Sequence, residues 1–253
     1  MYKETKELLV QSAMNKVKLL MESKWKYLLA SALAGAYVGI GIILIMIIGQ
    51  AATTSGSEYT KIYMGLGFGI ALSLVIMAGS ELFTGNNMVM MVGSMDRKIK
   101  WSDTFQIWGI SYIGNFIGSI IIGGLFVLTK IQGTATAEFI LNTAATKLNG
   151  DFVSLLVKGI LCNILVCLAV LCSIKLKSES GKLIMIAWCL FAFIASGFEH
   201  SIANMTIFSM ALFLEHPETI SIGGMFANLI PVTIGNFIGG GLILGGSYYF
   251  VGK

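Results

Sequence analysis

Residues Leu183–Leu214 read LIMIAWCLFAFIASGFEHSIANMTIFSMALFL, and the way this stretch sits in a membrane decides the fold. It is apolar throughout except near its middle, where Ser196-Gly-Phe-Glu-His-Ser201 places Glu199 and His200 side by side. A single simple helix crosses the hydrocarbon core in ~20 residues, so the stretch is too long for one span and too short for two spans and a turn. The reading that fits is one crossing made of two half-helices with an unwound segment between them. Non-helical backbone at membrane depth is tolerated only where protein or a water-filled cavity satisfies its polar groups.

A second stretch behaves the same way. Ile62–Met95 holds one charge, Glu81, within Gly79-Ser-Glu-Leu-Phe-Thr-Gly-Asn86. Four other segments read as ordinary spans: Tyr27–Gly49, Thr104–Thr129, Phe152–Ile174 with one charge at Lys158, and a last one near Asn228–Phe250. The composition agrees. The chain is 56% hydrophobic and 12% charged, with a mean hydropathy of +0.83. That charged share is about half the usual one, which excludes a soluble enzyme, a disordered chain and a secreted disulfide scaffold. The N-terminus lacks an apolar core and a small-residue cleavage site, so it does not read as a signal peptide. The four cysteines (Cys162, Cys167, Cys172, Cys189) lie in apolar stretches without metal-ligand spacing, and neither a metal nor any other cofactor is expected.

Basic residues test the count. Lys3, Lys6, Lys16, Lys18, Lys24 and Lys26 precede the first span. Arg97, Lys98 and Lys100 follow the first broken stretch, Lys175, Lys177 and Lys182 precede the second, and Lys253 ends the chain. With each broken stretch as one crossing there are six spans, and all of these fall on one side. Positive charge marks the cytoplasmic side, which places both termini there. Lys61, Lys130 and Lys147 fall opposite. Residues 1–26, with Leu9, Ala13, Val17 and Leu20 at helical spacing among lysines, read as an amphipathic helix at the cytoplasmic interface. Residues 27–253 then form a single transmembrane domain.

That domain carries an internal repeat. Ile113-Gly-Asn-Phe-Ile-Gly118 recurs as Ile234-Gly-Asn-Phe-Ile-Gly239, and Glu81-x4-Asn86 recurs as Glu199-x4-Asn204. The two halves, 27–129 and 152–250, hold three spans each. An odd number makes the second half enter from the opposite face, so the fold class is an all-α membrane protein of two inverted three-helix repeats. In such folds the transport site lies at the repeat interface near the midplane, at the broken helices. The Gly-x3-Gly pairs read as packing faces.

Along nearly its whole length the chain resembles the formate/nitrite transporter family. The resemblance rests on Ala34-Gly-Ala-Tyr-Val-Gly, Gly79-Ser-Glu-Leu-Phe-Thr-Gly-Asn86, Lys158-Gly-Ile-Leu-Cys-Asn163 and Ala195-Ser-Gly-Phe-Glu-His-Ser-Ile-Ala-Asn-Met205. It implies an aquaporin-like protomer, a homopentamer with one pore per protomer, and passage of small monovalent anions through the cytoplasmic membrane. It also implies a pore centre at His200 with Thr84 and with Asn204 facing the histidine. The outer constriction falls on Leu72 and Phe193 with Phe68 nearby. The inner one falls on Leu82, helped by Asn163 and Val166. Lys147 matches the lysine of the outer vestibule, and Lys16 lies toward the cytoplasmic mouth. The motifs look closer to nitrite-type members than to formate-type ones, and the hydrosulfide branch shares much of the pattern.

The residues add chemistry of their own. Ionisable groups inside a span are costly and mark function. Glu81 and Glu199 read as structural residues that point away from the path and accept hydrogen bonds from unwound backbone N–H groups. His200 reads as the group that meets the anion and makes its dehydrated passage tolerable by transient neutralisation. Thr84 adds a hydroxyl, half-helix N-termini add positive dipole ends, and lysines at the mouths concentrate anions. Lys158 reads as a snorkelling lysine rather than a pore residue. A neutral-solute pore is disfavoured because neither proline, Pro217 nor Pro231, stands at a break. A proton-coupled carrier remains an alternative. An enzyme is not expected, since a Ser-His dyad at 196–201 lacks an orienting group and there is no His-Glu-x-x-His motif. Nor is a nucleic-acid partner.

Overall fold

The computed structural model describes residues 2–253. Among them there are helices and no strands. In chain order they are α1 (Tyr2–Glu22), α2 (Lys24–Thr54), α3 (Thr60–Met77), α4 (Phe83–Met95), α5 (Trp101–Val127), α6 (Ala135–Leu148), α7 (Phe152–Lys175), α8 (Glu179–Ala195), α9 (Ser201–Phe213) and α10 (Ile222–Phe237). A π-helical segment, Ile238–Gly245, continues α10 into α11 (Gly246–Val251). Five of these stretches are long and apolar enough to cross a membrane: α2, α3, α5, α7 and Ile222–Val251.

Each broken stretch divides where its sequence places Gly beside Ser and Glu. α3 stops at Met77 and α4 begins at Phe83; α8 stops at Ala195 and α9 begins at Ser201. Gly79 has φ +74° and Gly197 has φ +70°. A Cβ is strained in that left-handed region, which is why glycine ends each first half-helix. The last apolar stretch starts six residues earlier than the sequence suggests, where Ser221 caps α10 by accepting the Gly224 N–H at 3.1 Å.

The Gly-x3-Gly pairs are where helices touch. A Cβ on Gly118 would strike the Ala32 carbonyl oxygen, and one on Gly35 would strike that of Asn115. In the second half, Gly235 and Gly239 lie on the carbonyls of Leu156 and Ile160. The α2–α5 and α7–α10 backbones therefore meet directly, a form of packing that needs no hydrophobic drive and works in lipid. Outward-facing side chains such as Leu66, Ile113, Leu125, Val153 and Trp188 are large and apolar.

Two helices lie outside the apolar crossings. α1 buries Leu9, Ala13 and Leu20, with Ala13 against Gly93 of α4. Lys6 of α1 pairs with Asp96 at 2.8 Å. The sequence reading does not anticipate α6, in the segment between the third and fourth spans. Thr134 caps it on the Ala137 N–H at 3.3 Å, and it buries Ala137, Ile140 and Ala144. Near its end α6 carries Lys147.

Candidate functional site: two chambers and a narrow apolar space

Unwinding a helix frees backbone groups, and buried ones must find partners. At the first break the Glu81 N–H donates to the Ala30 carbonyl at 3.2 Å. The Phe83 N–H donates to Asn115 Oδ1 at 2.9 Å. The Asn115 amide donates in turn to the carbonyls of Ser31 at 2.7 Å and Glu81 at 2.9 Å. The second break repeats this bond for bond. The Glu199 N–H reaches the Lys158 carbonyl at 3.3 Å, and the Ser201 N–H reaches Asn236 Oδ1 at 2.9 Å. The Asn236 amide donates to the carbonyls of Gly159 at 2.8 Å and Glu199 at 3.0 Å.

The sequence reading does not single out Asn115 and Asn236. The signal is present, because both sit within the hexapeptide that recurs without change. Their role also corrects the expectation for the glutamates. It is the asparagines that serve the unwound N–H groups, while the carboxylates take side-chain partners and border the chambers. Glu81 accepts from Lys16 Nζ and Tyr27 Oη, both at 2.7 Å, and from Asn86 at 3.2 Å. Glu199 accepts from Lys147 Nζ at 2.8 and 2.9 Å and from Asn204 at 2.6 Å. Lys16 and Lys147 thus hold corresponding places, each reaching a break from a helix outside the crossings.

Three spaces line up through the protein. A chamber of about 400 Å³ is bordered by Lys61, Lys147, Lys158, Glu199, Asn204 and His200, with Phe193 on its floor. A chamber of about 370 Å³ is bordered by Lys16, Glu81, Asn86, Leu72 and Leu82. Between them lies an apolar space of about 10 Å³ lined by Val38, Phe68, Ala71, Leu72, Leu82, Val166, Leu190, Phe193 and His200. That volume is about one water's worth. Phe193 and His200 border the upper chamber and the central space; Leu72 and Leu82 border the central space and the lower chamber. Leu72, grouped with Phe193 in the sequence reading, therefore lies with Leu82. Phe68 meets Phe193 edge-on at 5.5 Å between ring centres.

His200 is the polar group on the central space. Its ring stacks on Phe193 at 6.0 Å and 19°. It also caps α9, because Nδ1 accepts the Ala203 N–H at 3.1 Å. A backbone N–H can only donate, so Nδ1 carries the lone pair and the neutral ring holds its proton on Nε2. Nε2 stands 3.0 Å from Thr84 Oγ1, and that N–H donates to the hydroxyl. Thr84, at the start of α4, is fully buried and leaves its own hydroxyl proton to give.

Two expected residues sit elsewhere. Asn204 turns its amide to Glu199 and to Asn228 Oδ1 at 2.9 Å, not to the histidine. Asn228 donates to the Lys147 carbonyl at 2.9 Å, closing a ring of polar contacts. Asn163, like Thr84, borders none of the three spaces. It lies behind the wall and donates to the carbonyls of Thr84 at 3.2 Å and Asn236 at 2.6 Å. Lys158, read as snorkelling, borders the upper chamber.

Two chambers that each hold a Lys–Glu pair, on either side of an apolar neck and within helices fit to cross a membrane, describe a membrane transport protein. Comparison with known proteins narrows the class. The family described as formate/nitrite transporter matches residues 3–250. The nitrite transporter NirC of Escherichia coli (strain K12) is 40% identical over 222 residues, covering 87% of this chain and 81% of that one. A solved structure described as an FNT family ion channel superposes with a TM-score of 0.92, at 36% identity over 98% of both chains. A pentameric formate channel with formate bound gives 0.80, at 29% identity over 91% of this chain and 98% of that one. The chain belongs to the formate/nitrite transporter family and is a multi-pass membrane protein.

Proposed function

We propose that the protein conducts small monovalent anions of the nitrite, hydrosulfide and formate class through each protomer. Nitrite or hydrosulfide is the favoured substrate, and a formate channel or a proton-coupled carrier is the alternative. The single observation that carries this is the neck: an apolar space of about 10 Å³ whose polar lining group is His200, between two chambers that each hold a Lys–Glu pair. An aquaporin-like neutral-solute pore has no use for four charged groups so placed.

The site residues follow. His200 and Thr84 form the pore centre, and Phe68, Phe193, Leu72, Leu82 and Val166 form the constrictions. Lys147 and Lys16 serve the two vestibules, with Glu199, Asn204 and Glu81 as their partners. The protein makes six crossings as two inverted repeats, 27–129 and 152–250, behind an interface helix at 1–26. Both termini are cytoplasmic, which makes the Glu199-side chamber the outer one. The solved pentameric relative supports a homopentamer.

The chemistry follows from the bonds. A second proton on His200 would have to enter at Nδ1, displacing the Ala203 N–H and placing a cation at a helix N-terminus, which is unfavourable. The imidazole therefore acts in its neutral form. It donates Nε2–H to Thr84, which lies behind the wall and holds the ring in place on the neck. The proton that neutralises the anion in the neck travels with the anion from the aqueous chamber. Flux therefore rises as the pH falls.

The test is flux of nitrite, formate and hydrosulfide into proteoliposomes at two pH values, with wild type and His200→Asn. The expected result is faster flux at the lower pH in both proteins, with the variant slower than wild type at each pH. Flux through His200→Asn equal to wild type at both pH values would overturn the reading.

A further inference from the structure

The two chambers are not electrostatically equal. In the lower one Lys16 is paired with Glu81 at 2.7 Å, one cation against one anion. In the upper one Lys147 is paired with Glu199 at 2.8 Å, yet two more lysines, Lys61 and Lys158, border the same space. Among the described residues neither of their ammonium groups is engaged by an ion pair or a hydrogen bond. Lys61 comes from the first turn of α3, and its Nζ stands 3.5 Å from where a Cβ on Gly197 would lie, over the turn that leads into His200. Lys158 comes from α7, and its carbonyl accepts the Glu199 N–H. The matching position in the first half is Ala30, whose carbonyl accepts the Glu81 N–H. The two breaks are alike in their backbone bonds and differ in that one anchor carries an ammonium group. Thr60, Thr143 and Thr146 add hydroxyls to the same walls.

We propose that Lys61 and Lys158 form an anion-loading subsite in the upper chamber, outside the neck, which makes the Glu199-side mouth the attracting end. The inference rests on the reading of the protein as an anion conductor. Lys147 cannot supply this attraction alone, because Glu199 cancels its charge at contact distance. Two uncompensated ammonium groups in a recess with low-dielectric walls focus the field and raise the local anion concentration, by a factor of ~10 or more at low salt. A chamber of about 400 Å³ is far larger than one monovalent anion. A hydrated divalent oxoanion fits there, is held by two cations better than a monovalent one is, and cannot pass a neck of about 10 Å³.

The experiment uses right-side-out and inverted membrane vesicles from cells expressing the full chain, which present opposite mouths. Initial uptake of nitrite or formate is measured against concentration, with sulfate added outside at ionic strength fixed with gluconate. In the wild type, sulfate inhibits from one side only. In Lys61→Gln/Lys158→Gln, the half-saturating concentration at that mouth rises ~3–10-fold at low salt, and several-fold more sulfate is needed for the same inhibition. In Lys61→Arg/Lys158→Arg the wild-type values are retained. Equal sulfate inhibition from both sides overturns the proposal, as does a Gln double variant with unchanged half-saturation and sulfate sensitivity. Absence of anion uptake in the wild type would instead be the failure of the underlying function, and it is read from the same vesicles before any variant is compared.

Discussion

Thr84 and His200 are 116 residues apart in sequence, yet their side chains stand 3.0 Å apart, His200 on the wall of the apolar neck and Thr84 behind it. Each comes from the first residues of a half-helix that follows a break. The two breaks therefore meet at their starts, and the contact between them is a hydroxyl and an imidazole. Since Nδ1 is committed to the Ala203 N–H, the hydroxyl receives the Nε2 proton and keeps its own to offer.

Thr84→Val keeps the shape and removes the hydroxyl. It leaves the imidazole N–H without an acceptor and frees the ring that lines the neck. Loss of one such bond is worth about 1–1.5 kcal/mol, or roughly tenfold in rate. Anion flux in proteoliposomes should fall by about that factor while the yield of folded protein is kept, and Thr84→Ser should restore most of it.

Asn115 and Asn236 each make three bonds to backbone groups at and beside the breaks. Asn115→Leu or Asn236→Leu leaves one buried N–H without its acceptor and two carbonyls without that donor. At about 1–3 kcal/mol for a buried group left unpaired, the loss is large against the usual margin of stability. The apparent Tm of the detergent-solubilised protein should fall by roughly 10 °C, or the protein should fail to accumulate. Asn204→Leu removes no backbone partner and should cost less.

Glycine substitutions should sort by what lies opposite. Gly118→Ala and Gly239→Ala drive a methyl into a neighbouring helix carbonyl, where no side chain can move aside. Gly109, on the same helix as Gly118, has nothing within 4 Å of its added Cβ. Gly109→Ala should be neutral or stabilising by up to ~1 kcal/mol through helix propensity. Size-exclusion profiles of the extracted proteins separate the two outcomes.

The Lys147–Glu199 pair is mostly removed from water, with side-chain exposures of 18% and 8%. Breaking such a pair leaves a charge stranded, whereas removing both ends does not. Lys147→Met should destabilise by roughly 1–3 kcal/mol, and adding Glu199→Gln should recover much of that. A double-mutant cycle on thermal unfolding reads the coupling.

Much of this architecture is written in local sequence, and the parts that are not have physical reasons. Gly79, Glu81, Gly197 and Glu199 announce the breaks because a charge beside a conformationally free residue, inside an apolar run, is costly unless the helix ends there. The packing role of Gly114–Gly118 and Gly235–Gly239 is legible from spacing alone, which puts both glycines on one face. Asn115 and Asn236 are visible as a repeat but not as anchors, because which carbonyls an amide reaches is decided by helices distant in sequence. α6 escapes the sequence reading because threonines and alanines at Thr134–Thr136 and Ala144–Thr146 dilute its apolar residues and leave little periodic signal. With α6 unseen, Lys147 can be matched to a vestibule but not tied to Glu199. Asn163 and Asn204 lie near the path, and only the direction of their amides separates lining it from bracing it.

The asparagine that closes each break belongs to the same half as the break. Asn115 lies on the crossing that follows residues 78–82, and Asn236 on the crossing that follows residues 196–200. On the ribosome, Phe83 is made 32 residues before its clamp Asn115. A chain ending at Val127 therefore already carries the partners of the Glu81 and Phe83 N–H groups and of the Glu81 carbonyl.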